Sequence, residues 1–527
     1  MNKGFRKSTS IILASLMAFS FTAVACNNSN QQTESASETS EDLSQDSTTP
    51  VAAHTGDENP LQTKSLKDLA APGDPTNIPE TLQIDWSKRY RYSELEEQLA
   101  AISKEAADIT ELYSIGTSWQ ERKLWCLEIT NKSIPSEQKT GIGLFAAIHG
   151  EEREAASSAM YDAWWMVLNR DDEYIKTMMD QYIIYIIPVI NPDGYEQSFV
   201  YGNRSNLRPT DLNNDGVPFS DPYADIDGDG FIASIYKGSA DTEPVSMLST
   251  DWTRPELNRF GMESPDWDQN GILGDDPRSS GIDMNRNFNH QWNRFDIETV
   301  DTQVIGANSW HRAGPDAASE PEVRAIQNFL AQKPMNALVT IHTGIQAVYY
   351  PWCYRPYDAN NPADADLPYM KDISAKMADI LCKTTGRGFF SMASYDDYAT
   401  NSEMIDYAYE NFNIHAYTLE VYCGGKSGDI NDHLWENELP EEKWVFYSQD
   451  DIKNKLGMEP TTLKSSFDGK PLASNEGLWF YTSSDAQMLD VAPEDQELMV
   501  KGARDAVLVM IENEPYGEGY KSPFFLK

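Results

Sequence analysis

The chain has 527 residues, of which 40% are hydrophobic and 11% aromatic, so it can bury a sizeable core in one large domain or in two or three smaller ones. It carries 83 acidic and 42 basic side chains, a formal net charge of −41. This charge excludes a nucleic-acid partner, because the acidic surface would repel a polyanion. It fits an exported protein or one that binds divalent cations, and a solvated acidic surface accounts for most of it.

The first 85 residues indicate export rather than folded structure. Three basic residues are followed by an apolar run at 11–25 that is too short to span a membrane. The small residues before Cys26 resemble a bacterial lipoprotein cleavage site, which predicts a signal peptide at 1–25 and lipidation of Cys26. The protein would then lie in the cell envelope and meet the membrane only through its lipid anchor. Ordinary cleavage after Ala25, followed by secretion, is the alternative.

The segment after Cys26 is rich in Ser, Thr and acidic residues to about Leu61. Such a composition cannot bury enough apolar surface to offset chain entropy, so residues 26–85 are predicted to be a disordered acidic tether.

From Trp86 the composition is that of a folded domain, assigned to residues 86–527. The first predicted helix starts at Ser93, with Glu96 as its capping partner. Strands at 109–115 and 123–129, a strand into His149, a helix to about Leu168 and a strand at 182–190 follow. The later elements are a helix at 320–332, strands at 337–342 and 347–352, a helix at 370–384, a strand at 415–422 and a helix at 493–513. Apolar strands that alternate with helices predict an α/β fold, with a mixed, mostly parallel twisted sheet flanked by helices on both faces.

Two segments interrupt this pattern: an Asp/Gly-rich insertion at 203–280 and a poorly defined insertion at 424–490. The first contains three clusters in which Asp or Asn recurs at alternate positions before a glycine: Asp211, Asn213 and Asp215; Asp225, Asp227 and Asp229; Asp266, Asp268 and Asn270. This spacing puts hard oxygens on one side of a loop and suits a structural Ca²⁺. None of the clusters has the Glu that ends an EF-hand loop, and a solvated acidic loop is the alternative.

Two of the seven histidines, His149 and His342, each terminate an apolar strand. Glu152 follows His149 by three residues. Strand ends are where α/β sheets form their sites, so these three side chains fit a zinc site of two His and one Glu with a position left open for water. Each histidine taken alone is more often a core residue satisfied by a hydrogen bond.

Other polar residues complete a hydrolytic pattern. Glu420 lies inside an otherwise apolar strand and is a candidate general base, whereas a glutamate facing water on an edge strand is the alternative. Arg286 beside Asn285 offers the paired donors that bind a carboxylate. Asp283 is placed to orient a zinc-ligating imidazole. Each of the last three, taken singly, could be a surface polar residue.

In this order the motifs resemble those of the zinc metallocarboxypeptidases, the carboxypeptidase A-like peptidases. Five segments carry the resemblance: His149-Gly-Glu-Glu152, Asn191-Pro-Asp-Gly194, Gly281-Ile-Asp-Met-Asn285-Arg286-Asn-Phe288, Ile341-His342-Thr343 and Thr418-Leu419-Glu420. Tyr398, 22 residues before Glu420, matches the family's mobile tyrosine. The resemblance covers about 88–423 and the last helix.

The resemblance implies a role for each matched residue. One catalytic zinc would be held by His149, Glu152 and His342. The terminal carboxylate of the substrate would be bound by Asn285, Arg286 and Tyr398. Glu420 would act as general base and then as general acid. Arg204 would stabilise the oxyanion, with Arg208 as the alternative.

Ile405 matches the base of the pocket for the C-terminal side chain, and an apolar residue there implies a preference for apolar or aromatic side chains. Two features depart from the family pattern. Glu151 stands where an Arg often precedes the ligand Glu, and Ser402-Glu403-Met404 replace small Gly and Ser residues.

The sequence therefore predicts an exported zinc carboxypeptidase that removes single residues from the C-termini of peptides or proteins. One alternative is a relative that cleaves cell-wall peptides or other amides at the same site. The other is an inactive, calcium-dependent surface binding protein, against which the intact ligand and base residues argue.

Overall fold

The computed structural model of the protein describes residues 65–200, 202–241, 258–292, 312–422, 442–483 and 493–514. The predicted signal peptide, the lipidation site Cys26 and the tether as far as residue 64 lie outside these ranges. Within them, no helix combines the length and the apolar character needed to cross a bilayer.

The strands are β1 (Thr110–Thr117), β2 (Lys123–Ile129), β3 (Thr140–Ala146), β4 (Tyr182–Ile187), β5 (Ser234–Gly238), β6 (Asn258–Met262), β7 (Met335–His342), β8 (Gln346–Tyr350), β9 (Phe390–Ala393), β10 (His415–Val421), β11 (Glu442–Tyr447) and β12 (Gly477–Ser483). The helices are α1 (Tyr92–Glu105), α2 (Arg153–Leu168), α3 (Glu173–Gln181), α4 (Pro192–Ser198), α5 (Pro321–Gln332), α6 (Leu367–Thr385), α7 (Ser394–Asp397), α8 (Met404–Phe412), α9 (Gln449–Asn454) and α10 (Pro493–Asn513).

Eight strands form the main sheet, in the order β1-β2-β4-β3-β7-β10-β8-β9. The pairs β3–β4, β3–β7, β7–β10 and β8–β9 are parallel, and the pairs β1–β2, β2–β4 and β8–β10 are antiparallel. This confirms the predicted mixed, mostly parallel sheet.

Both faces of the main sheet are covered by helices. Successive residues of a strand point to opposite faces. In β3, Ile142 and Leu144 therefore join one buried cluster with residues of α1, α2, α6 and α10, and Phe145 joins another with residues of α5 and α8. Because β3 is buried on both faces, its sequence is continuously apolar rather than alternating.

A second sheet, β11-β12-β5-β6, is antiparallel and combines the two insertions. β5 and β6 come from residues 203–280, and β11 and β12 come from 424–490. The part of the latter segment at 442–483, predicted to be poorly defined, is thus ordered. Its strands show no alternation because both faces pack: Leu478 and Phe480 are buried in one cluster, while Trp444 and Trp479 contact the aromatic residues of another.

The predicted tether is wrong at its carboxyl-terminal end, because residues 65–85 belong to the fold. Leu66 and Leu82 are 4% and 0% exposed and pack into the main core. They are isolated apolar residues among polar ones and prolines, so no local period marks them as buried.

The capping prediction for α1 is also wrong. The backbone N–H of Arg91 donates to Oε2 of Glu94 at 2.7 Å, so the helix begins at Tyr92 and Ser93 lies inside it. Glu96 instead accepts a hydrogen bond from Nε1 of Trp125 at 2.7 Å and ties α1 to β2.

Three adjacent parallel strands, β3, β7 and β10, end at the same edge of the sheet. His342 is the last residue of β7, and Glu420 of β10 is its direct neighbour in the register. His149 follows the end of β3 by three residues. The topology alone therefore brings the predicted ligands and the predicted base to one edge.

Candidate active site

His149, Glu152 and His342 converge on one another. Nδ1 of His149 lies 2.6 Å from Oε1 of Glu152, and Nδ1 of His342 lies 2.9 Å from Oε2 of the same carboxylate. The three residues are 3%, 3% and 1% exposed, and one potential ligand atom from each lies within 4.8 Å of the others. Two imidazole nitrogens and a carboxylate, buried together at a strand edge, fit a zinc ion.

The turn between His149 and Glu152 depends on a glycine. A Cβ on Gly150 would lie 2.3 Å from the carbonyl carbon of Gly194 and 2.4 Å from the carbonyl oxygen of Asn203. Only a residue without a side chain permits this approach. The Asn191-Pro-Asp-Gly194 motif at the start of α4 thus packs directly against the turn that carries His149 and Glu152.

Asp283 faces His149 from the side opposite Glu152. Its Oδ1 lies 3.3 Å from Nε2 of His149, and its Oδ2 accepts a hydrogen bond from Nε of Arg204 at 2.8 Å. Burial opposes ionisation of Asp283, but Arg204 and then His149 hold its pKa well below its usual range. A carboxylate on the outer nitrogen leaves Nδ1 of His149 as the nitrogen that faces the metal position.

Thr340 contacts the outer ring nitrogen of His342, as Asp283 contacts that of His149. Its Oγ1 lies 2.9 Å from Nε2 of His342. Thr340 and His342 are two residues apart on β7 and so share a face of the strand. This residue was missed in the sequence, although the alternation of β7 could have indicated it.

The electrostatics of the ligand group favour an incoming cation. Burial and Arg204 lower the pKa of His149, but Glu152 and Asp283 outweigh them and raise it to about 9. The pKa of His342 is lowered, mainly by burial. Without metal the first imidazole holds a proton that a zinc ion would displace.

Glu420 lies on an interior strand, between β7 and β8, which rules out the alternative of an edge strand. Its Oε2 is buried and receives no hydrogen bond from the described residues. Burial raises the pKa of Glu420 well above its usual range, and Glu152 adds to the rise. A carboxyl with these properties beside His342 is suited to accept and return a proton.

The geometry separates Arg204 from Arg208. Nη1 of Arg204 lies 3.8 Å from Oε1 of Glu152, so its guanidinium faces the ligand group. Arg208 donates to Oε1 of Glu320 at 2.8 Å and lies 5.1 Å from the centre of the Trp119 ring. Arg204 is therefore the arginine beside the metal position.

The predicted carboxylate-binding residues also lie together. Nη2 of Arg286 donates to Oη of Tyr398 at 3.0 Å, and Asn285 and Arg286 are 4% and 2% exposed. Both belong to the 3-10 turn that begins after Asp283. Oδ1 of Asp283 accepts a hydrogen bond from the backbone N–H of Asn285 at 3.0 Å. One turn therefore carries the residue that orients His149 and the residues of the clamp, by which we mean Asn285, Arg286 and Tyr398.

A further residue, Glu403, occupies the clamp. Nη1 of Arg286 donates to its Oε1 at 3.0 Å, and Nδ2 of Asn285 lies 3.4 Å from its Oε2. The sequence marked Glu403 only as a replacement for a small residue. Ile405, two residues on, is 1% exposed and belongs to the apolar cluster that includes Met404 and Cys353.

Glu151 lies near enough to Arg204 for the two charges to interact. Burial raises the pKa of Glu151 to about 7 against the opposing charge of Arg204. The substitution of Glu for the Arg usual in the family thus adds an acidic group next to the predicted oxyanion arginine.

Of the acidic clusters in the insertion, the second gathers possible cation ligands. Asp225 and Asp227 lie with Glu263, a buried residue that follows β6 and that no local pattern indicated. In all three loops the first Asp accepts backbone N–H bonds from the glycine five residues on. Calcium binding by the insertion stays a prediction.

The chain resembles known proteins in the region that carries this site. A sequence profile of the zinc carboxypeptidase family matches residues 95–432, a range that contains the ligand group, the clamp and Glu420. Carboxypeptidase A6 of Homo sapiens is 22% identical over 344 residues, which are 64% of this chain and 60% of that protein. Carboxypeptidase E of Caenorhabditis elegans is 24% identical over 220 residues, 38% of this chain and 45% of that protein.

The chain thus matches less than two thirds of the length of these relatives. Among solved structures, that of carboxypeptidase A from Helicoverpa armigera superimposes with a TM-score of 0.48 at 15% identity and covers 82% of this chain and 76% of that one. The profile match extends over more than half of the residues, and on that basis the chain belongs to the zinc carboxypeptidase family.

Proposed function

We propose that this protein is a zinc-dependent carboxypeptidase that hydrolyses the last peptide bond of peptides or proteins. The observation that carries the proposal is that one turn of the chain holds both a residue that contacts the predicted metal ligands and the residues that would bind the substrate carboxylate. Asp283 contacts His149 of the ligand group, and two residues later the clamp begins with Asn285 and Arg286. A carboxylate clamp on the turn that also contacts the hydrolytic centre is the arrangement that an exopeptidase needs.

The roles follow from position. The chemistry that zinc supplies when bound by two His and one Glu is polarisation of the scissile carbonyl and a lowered pKa of its water. Glu420 takes the proton from the attacking water and passes it to the departing amine. Arg204 donates to the carbonyl oxygen as negative charge develops on it, and Arg286 with Tyr398 holds the terminal carboxylate.

The side-chain preference is a finer part of the proposal. Ile405 predicts an apolar or aromatic C-terminal residue, because it matches the base of the pocket in the family. The carboxylate of Glu403, however, contacts Arg286 and Asn285 of the clamp. An acidic group there does not favour an apolar side chain, so Glu403 and Ile405 favour different C-terminal residues.

A matched pair of peptides tests the proposal. One peptide ends in a free carboxylate and the other is the same peptide with a C-terminal amide. We expect the zinc-loaded protein to release a single residue from the first peptide only, and we expect a zinc chelator to abolish the release. Equal cleavage of both peptides would exclude an exopeptidase and favour an amidase or endopeptidase. If the chelator leaves the cleavage of both peptides unchanged, the activity does not depend on the zinc site.

We further propose, from the sequence alone, that Cys26 is lipidated and that the enzyme is held at the cell envelope. Expression of the full chain and of the C26S variant, followed by separation of membranes from soluble protein, tests this. Equal partition of the two proteins would indicate ordinary secretion.

A further inference from the structure

Glu403 contacts two residues of the clamp and has no role in the proposed function. Its side chain is 8% exposed and receives four contacts. Arg286 and Thr400 donate to Oε1, while Asn285, at 3.4 Å, and the thiol of Cys353, at 3.5 Å, face Oε2. Two of these four groups, Arg286 and Asn285, are residues that would hold the carboxylate of a substrate.

The position of Glu403 is built into the fold. The backbone N–H of Met404 donates to Oδ1 of Asn285 at 3.0 Å, and the backbone N–H of Phe288 donates to the carbonyl of Ser402 at 3.1 Å. These bonds fix the residues on either side of Glu403 to the turn that carries Arg286. The carboxylate is thus a fixed part of the pocket and not a surface group that folds in by chance.

The charge of Arg286 is therefore already balanced in the free protein. Its Nη1 donates to Glu403 and to the carbonyl of Asn285, and its Nη2 donates to Tyr398. A substrate carboxylate that binds Arg286 brings a second negative charge next to Glu403. Two buried carboxylates that share one guanidinium repel each other, and such a charge is tolerated only when it finds a new partner.

We propose that Glu403 selects substrates whose C-terminal residue has a cationic side chain, lysine or arginine. On binding, the terminal carboxylate pairs with Arg286, and the side-chain cation of the substrate pairs with Glu403. Each buried charge then keeps a partner, whereas an apolar side chain would leave Glu403 opposed to the substrate carboxylate. This inference rests on the proposed function and replaces the preference that Ile405 alone predicts.

Ile405 is compatible with this selection. The methylene stems of lysine and arginine are apolar and pack against hydrophobic walls while the charged end meets a polar partner. Ile405 and Met404 belong to the buried apolar cluster next to Glu403. An apolar wall and an acidic group therefore lie side by side at the clamp, and together they match a long side chain with a terminal cation.

The test uses N-blocked dipeptides that end in arginine, in citrulline and in phenylalanine, with the full zinc-loaded chain. Citrulline has the shape of arginine without its charge. We expect kcat/KM for arginine to exceed that for citrulline by roughly tenfold or more, because only the cation leaves no buried group unpaired. The E403Q variant should bring this ratio close to one, mainly by raising KM for arginine. Glu410→Gln, an exposed position on the same helix, should leave the ratio unchanged.

The outcomes separate the inference from the proposed function. Equal cleavage of the arginine and citrulline peptides by the unaltered protein would overturn the role of Glu403, and this comparison needs no variant that might fold poorly. An equal loss for all three peptides in E403Q would also overturn it, since a merely structural residue gives that result. No cleavage of any of the three, with zinc bound, would overturn both proposals.

Discussion

Asp283, which is fully buried, forms an ion pair with the partly buried Arg204, with Nε of Arg204 2.8 Å from Oδ2 of Asp283. The other oxygen of Asp283 faces His149 at 3.3 Å. One carboxylate therefore positions both a predicted metal ligand and the predicted oxyanion arginine. Its low pKa keeps it charged over the working range of pH, so that both contacts persist.

Replacement of Asp283 by asparagine should weaken zinc binding. The amide cannot balance the charge of Arg204 or accept from His149 as strongly, and loss of such an outer partner lowers metal affinity by roughly 10- to 100-fold. Competition with a chelator of known affinity measures the change. Asp316→Asn, at an exposed position, serves as the control. An unchanged zinc affinity would show that Asp283 does not orient His149.

Replacement of Glu420 by glutamine should remove catalysis and leave zinc binding intact. The amide cannot accept the proton of the attacking water, and loss of a general base costs roughly 10² to 10⁴ in kcat. Glu420 is not part of the ligand group, so the zinc content should equal that of the unaltered protein. Kinetics and metal analysis on the same sample check both statements. A kcat near the original value would exclude Glu420 as the base.

The two arginines should respond differently to mutation. Arg204→Lys loses the planar pair of donors that faces the ligand group, and we expect kcat/KM to fall by roughly 10²- to 10³-fold. Arg208→Ala removes a cationic partner of Glu320, whose side chain is 0% exposed, and should cost about 1–2 kcal/mol of stability while kcat is retained. Steady-state kinetics and thermal unfolding of both variants test this. The reverse pattern would assign the oxyanion role to Arg208.

His415 should make stability depend on pH. It begins β10, with Nδ1 2.9 Å from Oε2 of Glu514 and Nε2 3.6 Å from Oδ2 of Asp366. Burial lowers the pKa of His415, but Glu514 and Asp366 outweigh it and raise the pKa to about 9. A raised pKa in the folded state gives stability that is fully present below the unfolded pKa of about 6.5 and is lost as the pH rises through 9.

Denaturant unfolding of the protein and of its H415Q variant at several pH values measures this contribution. The unaltered protein should be the more stable at pH 6, by an amount on the order of 1–3 kcal/mol, and the difference should shrink by pH 9.5. A difference that does not change with pH would mean that the pKa of His415 is the same in the folded and the unfolded protein.

Much of the site follows from local patterns. His149 and His342 were found because each ends an apolar run, and Glu152 because it follows at a fixed spacing. The final helix was predicted with the bounds that the structure has, since its apolar period is long and regular. Such features depend on neighbours within a few residues, so the order of amino acids contains them.

Contacts between distant segments could not be predicted in this way. The sequence favoured Arg204 but left Arg208 open, and only the path of the chain turns the first towards Glu152 and the second towards Glu320. Glu263 joins Asp225 and Asp227 because β6 pairs with β5, and nothing near it in the sequence indicates this.

The sequence by itself determined the order of the motifs and the class of the main sheet, and it predicted the ligand group and Glu420 as the base, because periodicity and spacing are local and the motifs resemble those of a known family. Only the tertiary structure decided that the two insertions share one sheet and that Glu403 lies on Arg286, 117 residues apart in the chain. The reason is physical: burial and charge pairing are set by whichever side chains the packed strands and turns bring together, and that choice is made by the whole fold.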